Sequence, residues 1–121
     1  MAPRTLSEKE RAAFAANPAF EHSAERESKQ LTKKPDSTEL LELYSLYKIG
    51  CGEDVAEYQT GDKAPGMFDL KGKAKLRAWE NILKEELTLE EAQQRYIALV
   101  EQLKGKYGFD ANKEPEVVGS S

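Results

Sequence analysis

In "LLELYSLYK", Leu40 to Lys48, the residues Leu40, Leu43, Tyr44 and Tyr47 recur at i, i+3, i+4 and i+7, the spacing of one face of an α-helix. Asp36, with Glu39 three residues later, marks its start as a capping box, and "IGCG" marks its end, where Gly50 or Gly52 can leave the helical path. Tyr44 and Lys48, four apart, project together, and Tyr47 sits beside them. A helix that places two phenols and an ammonium on neighbouring faces needs something for those faces to meet.

Working outward, the same periodicity continues. A further helix runs from about Asp69 to Glu86, with Leu76, Trp79 and Leu83 on one face and Lys71 and Lys75 on a neighbouring one. Thr88 and Glu91 form another capping box, opening a helix whose Ala92, Tyr96, Leu99, Val100 and Leu103 make a broad apolar stripe up to Gly108. On the other side, Phe20, Ala24 and Leu31 give a thin stripe of mostly small residues on a helix expected to run from Phe20 until Pro35 stops it. Ser7 and Glu10 signal a short helix ahead of "RAAFAA", interrupted by Asn17 and Pro18. Between Cys51 and Gly66 the chain lacks sustained periodicity and reads as a long loop with at most a turn of helix. The expected organisation is an N-terminal extension over 1–19, a helical domain over 20–108 and a flexible C-terminal tail over 109–121. No strand is required, so the fold class is all-α, a four-helix bundle.

Composition narrows the functions. The chain has 121 residues, 39% hydrophobic and 33% charged, which suits one domain with a modest core. No segment approaches the roughly 20 apolar residues that cross a bilayer, so no integral membrane association is expected. The N-terminus lacks the apolar core of a secretory signal, which makes the expected location cytoplasmic. With one cysteine, Cys51, and one histidine, His22, there is no internal disulfide and no metal-ligand set; the expectation is of no metal and no cofactor. A net charge of −4 argues against nucleic acid as partner. Yet Lys63 to Arg77 holds five basic residues against one acid, a local patch suited to a small polyanion.

No nucleophile and base stand out as a pair, so no catalysis is expected. "GMFDLKGKA" has a superficial likeness to a phosphate loop, but its glycine spacing is too long and alanine stands where a Ser or Thr would hold magnesium. Tyr44, Tyr47, Lys48, Lys71, Lys75 and Tyr96 allow two readings. Pattern alone favours packed tyrosines with surface lysines. The alternative is a site for a phosphorylated aromatic ligand, in which a phenol ring stacks on a base while a hydroxyl and ammonium groups bind phosphate.

Five blocks in order, "LTKKP" (31–35), "LLELYSLYK" (40–48), "PGMFDLKGKAK" (65–75), "AW" (78–79) and "EEAQQRYIALVEQLKGKYG" (90–108), resemble the acyl-CoA-binding proteins. The resemblance covers Phe20 to Gly108. It implies a bundle of up-down-down-up order that binds coenzyme A esters of medium- and long-chain fatty acids without catalysis, as a monomeric intracellular carrier or buffer. By motif position it implies that Tyr44, Lys48 and Lys75 meet the 3′-phosphate, that Tyr47 and Tyr96 belong to the adenine pocket, and that Lys34 lies near the phosphates. Lys71 shares the face of Lys75. Ala24, Leu40, Leu41 and Leu43 are the implied acyl-chain positions. The chain departs from the family pattern in a longer stretch between Lys48 and Pro65, in Ala64 where an arginine is usual, in Leu76 where a tryptophan is usual, and in small insertions before Leu31 and before Tyr96. The competing expectation is a helical protein-interaction or membrane-surface adaptor module.

Overall fold

Three capping signals become three helix starts in the computed structural model, which describes residues 5–115. Ser7, Asp36 and Thr88 each accept from the backbone N–H three residues on, and the carboxylates of Glu10, Glu39 and Glu91 return a bond to the capping residue's own N–H. Each box satisfies donors that the first turn of a helix cannot pair internally. The helices are α1 (Glu8–Ala16), α2 (Pro18–Glu25), α3 (Ser37–Gly50), α4 (Leu70–Leu83) and α5 (Leu89–Tyr107). Among the described residues there is no strand, only one isolated antiparallel bridge, Leu31 to Phe109. The fold is an all-α bundle, and no described helix is long and apolar enough to cross a membrane.

The leucine-rich α3 is central: α4 packs on one part of it and α5 on another, α2 lies on α5, and α1 lies on α2. Phe20, Leu46, Trp79, Val100 and Leu103 are fully buried at these junctions. The Phe20 ring meets Phe14, Tyr47 and Tyr96 at centroid distances of 5.7, 5.7 and 5.4 Å. At the end of α3, Gly50 lets these elements close, since a Cβ there would come within 3.1 Å of both the Phe20 ring and the Gln93 side chain. Gln93 Nε2 donates to the Gly50 carbonyl (2.9 Å), and its Oε1 accepts from Asn17 Nδ2 (3.0 Å). One buried amide thus joins the start of α2, the end of α3 and the middle of α5, with its polar atoms satisfied.

The structure departs from the sequence expectation in four places. The helix begun near Phe20 does not run to Pro35: α2 ends at Glu25, a 3-10 turn follows over Glu27–Lys29, and Leu31 pairs with Phe109. The backbone switches to i−3 bonds, Lys29 N–H to the Arg26 carbonyl and Gln30 N–H to that of Glu27, and Ser28 Oγ donates to the Ala24 carbonyl at 2.9 Å. Second, α1 is part of the core, burying Ala13 and Phe14 rather than extending from the body. Third, the chain after Gly108 is strapped down: Gln30 Nε2 donates to the carbonyls of Ala111 and Lys113, and Lys113 Nζ donates to that of Leu31. Residues 1–4 of the expected extension and 116–121 of the expected tail lie outside the described residues. Fourth, Cys51, where the long loop was expected to begin, is the buried C-cap of α3, and burial pushes its pKa up to about 12. The loop beyond it holds two 3-10 turns, Val55–Tyr58 and Gly61–Lys63.

Glu39 ties the start of α3 to the end of α5. Its carboxylate accepts from Lys106 Nζ (2.7 Å), the Tyr107 hydroxyl (2.5 Å) and the Asp36 N–H (2.9 Å). The lysine bond first, then the phenol, lowers its pKa from 4.5 to about 2. A carboxylate lowered by folding stabilises the native state above its unfolded pKa, and that contribution fades as the pH falls through its native value. Glu39→Gln should therefore lower the melting temperature at pH 7, with the gap from wild type closing between pH 4.5 and 2. A gap constant across that range in calorimetry would contradict this assignment.

Candidate ligand-binding cleft

Between α2, α3 and α4, with Tyr96 of α5 at its floor, lies a cleft of about 610 Å³. All eleven residues singled out in the sequence line it: Tyr44, Tyr47 and Lys48, Lys71 and Lys75, Tyr96, Lys34, and the apolar set Ala24, Leu40, Leu41 and Leu43. Leu40 and Lys48 are eight residues apart on α3, about 12 Å at helical rise, so the apolar and cationic groups occupy different lengths of the same helix.

At the cationic end Tyr44 is the hub. Its ring lies 5.7 Å from Lys48 Nζ and 5.2 Å from Lys75 Nζ, which brings side chains from α3 and α4 together. The edge of Trp79 meets the same ring at 6.4 Å and 84°, fixing its plane from the core side. Burial raises the Tyr44 pKa, so the hydroxyl stays a neutral donor. Lys75 is shifted the other way, first by burial and then by the charge of Lys71 one turn before it. Two ammoniums held close in a partly desolvated cleft favour an anion between them.

Tyr96 is buried and meets the Tyr47 ring at 6.1 Å, so it supports the cleft from below; burial pushes its pKa up to about 12. Ala24 and Leu43 are likewise buried, whereas Leu40 and Leu41 are half-buried along the trough. Lys34 is exposed on the connection that precedes α3 and reaches the cleft from that side.

Several lining residues carry no signal in the sequence. Ser28 and Ser37 come from irregular or helix-starting backbone, and Ala74 from the cleft-facing side of α4. Glu10 arrives from α1 and accepts a hydrogen bond from the Tyr47 hydroxyl while its other oxygen caps Ser7. The Ser7–Glu10 box revealed a helix, but nothing local revealed where that helix packs. The long loop contributes Tyr58, whose hydroxyl is 3.2 Å from Lys48 Nζ and donates to Glu53 at 3.1 Å, while its ring lies 5.1 Å from Trp79. The loop therefore reaches the rim beside Lys48.

An all-α bundle with a trough, apolar along one stretch and lined by phenols and ammoniums along another, is the build of a small helical protein shaped for an amphiphilic anion. Comparison with known sequences gives the class its name. The profile described as "Acyl CoA binding protein" matches residues 17–100. "Acyl-CoA-binding protein homolog 1" of Caenorhabditis elegans is 51% identical over 80 residues, covering 66% of this chain and 85% of that protein. "Acyl-CoA-binding protein" of Saccharomyces cerevisiae is 42% identical over 78 residues (64% and 82%), and "Acyl-CoA-binding protein homolog" of Drosophila melanogaster 42% over 86 residues (71% and 92%). The chain belongs to the acyl-CoA-binding protein family. The family match begins at residue 17, immediately after α1.

Proposed function

We propose that this protein binds medium- and long-chain fatty acyl-CoA esters in the cleft and carries or buffers them, without catalysis, as a cytoplasmic monomer that needs no cofactor and no nucleic acid. The observation that carries the reading is the Tyr44 ring set between Lys48 and Lys75 on the same helix pair whose other stretch offers Leu40 and Leu41. In this reading the Tyr44 hydroxyl, Lys48 and Lys75 hold the 3′-phosphate, Tyr47 takes the adenine above the floor made by Tyr96, and Lys34 and Lys71 add positive charge for the remaining phosphates. Ala24, Leu40, Leu41 and Leu43 line the path of the alkyl chain.

The two ends contribute differently. Burying a methylene is worth about 0.8 kcal/mol, so ten of them contribute on the order of 8 kcal/mol before ordering costs. The tail gives affinity, but a greasy trough alone would accept a free fatty acid equally well. Discrimination comes from charge-assisted hydrogen bonds at about 1.5–3 kcal/mol each and from stacking on the base. Calorimetric titration should therefore show palmitoyl-CoA binding at least about a hundredfold more tightly than palmitate, the factor that two such bonds supply, and more tightly than CoA, which lacks the tail. Similar affinities for palmitate and palmitoyl-CoA would refute the head-group site.

A further inference from the structure

Among the described residues, the most exposed large apolar side chains are concentrated in one short segment outside the cleft. Met67, Phe68 and Leu70 are 76%, 90% and 76% exposed, whereas the other large apolar side chains that stand out from the surface, Leu83 and Leu89, are each only 37% exposed. The three lie on the turn that leads into α4 and on its first residue. Water-soluble surfaces seldom gather exposed side chains of this size, and where they do the patch meets something.

The surrounding charges indicate what it meets. At helical spacing Leu70, Lys73 and Arg77 share one face of α4, all three exposed, while Lys71 and Lys75 turn toward the cleft. Lys73 Nζ donates to the Met67 carbonyl at 2.7 Å, which holds its charge against the apolar corner. The nearest acid, Asp69, is exposed and caps α4, its carboxylate accepting from the Gly72 N–H at 2.9 Å, so one negative charge stands beside the two cations. Glu80, further along the outer face, accepts from Gln59, and Lys63 is matched by Glu57. The corner is therefore apolar at its tip and cationic behind it, on a chain whose net charge is −4.

We propose that Met67, Phe68 and Leu70, backed by Lys73 and Arg77, form a docking surface for an anionic phospholipid bilayer. The tip enters the interface between headgroups and acyl chains, and the two cations meet the anionic headgroups. Because Lys71 and Lys75 line the cleft from the other side of the same helix, docking by this corner sets the cleft beside the membrane surface. A water-soluble carrier would there take up or release an amphiphile.

The test is co-sedimentation of the full chain with phosphatidylcholine vesicles, with and without about 30% phosphatidylserine, at physiological salt. Wild type should bind the phosphatidylserine vesicles, and Phe68→Ser and the pair Lys73→Glu, Arg77→Glu should each weaken that binding by about tenfold. Because Phe68 is exposed and lies outside the cleft, Phe68→Ser should fold normally and bind soluble palmitoyl-CoA as wild type does, so that a failure of docking and a failure of ligand binding are separately visible. Wild-type binding that is absent, that is equal on neutral vesicles, or that is unchanged in these variants would overturn the proposal. Absence on both vesicles would leave a protein partner as the occupant of the corner.

Discussion

Replacing Lys48 and Lys75 together with alanine is expected to lower the affinity for a long-chain acyl-CoA by about two to four orders of magnitude. Each ammonium provides a charge-assisted hydrogen bond worth about 1.5–3 kcal/mol, and 1.4 kcal/mol is a factor of ten. The two side chains approach the same Tyr44 ring from different helices, so the double variant removes both ammoniums beside that ring rather than trimming a diffuse surface field. The dependence of affinity on salt should flatten with it. Lys104→Ala is the control: that ammonium is 2.6 Å from Glu27 and 2.8 Å from Glu101 and does not line the cleft. Titrations that showed equal losses at Lys104 would mean general attraction to positive charge, and the phosphate site would have to be abandoned.

The second large effect is on stability. Trp79→Ala should cost about 3–5 kcal/mol, because Trp79 is fully buried and a large-to-small change loses both transfer energy and the packing around the void. For a chain of this size that is a fall in melting temperature of roughly 12–20 °C. The ring supports Tyr44 on one side and Tyr58 on another, so any variant that still folds should also bind ligand more weakly. A comparison with Phe68→Ala isolates the role of burial, since that aromatic side chain is almost wholly in solvent and its removal should leave the melting temperature nearly unchanged. If thermal unfolding moved by only a few degrees in Trp79→Ala, the packing of α4 against α3 would be looser than described.

What could be read in the sequence follows from the range of the physics involved. The three capping boxes, the stripe of α3 and the stripe of α5 are set by residues within a few positions of one another, and they fall where periodicity placed them. The cleft residues on α3 and α4 were legible for the same reason, since Tyr44 and Lys48, or Lys71 and Lys75, are single-turn neighbours. The early end of α2 was not, because the chain after Lys29 leaves the helix to pair Leu31 with Phe109, a partner far along the sequence. The strap after Gly108 was hidden in the same way, because it depends on the Gln30 amide reaching carbonyls 81 and 83 residues further along the chain. The stretch "RAAFAA" gave a helix but too few large apolar residues to announce burial, and Phe14 finds its place only against Phe20 and Tyr47.

That last contact bears on what counts as the whole receptor. Phe14 packs against Tyr47 and Glu10 holds the Tyr47 hydroxyl, yet both residues precede the span shared with the family. A shortened protein cut to the common core would keep every residue of the family match and still present a changed aromatic to its guest, wetted on one side and released at its hydroxyl. Grafting, tagging or trimming at that front end is thus a modification of the binding surface itself.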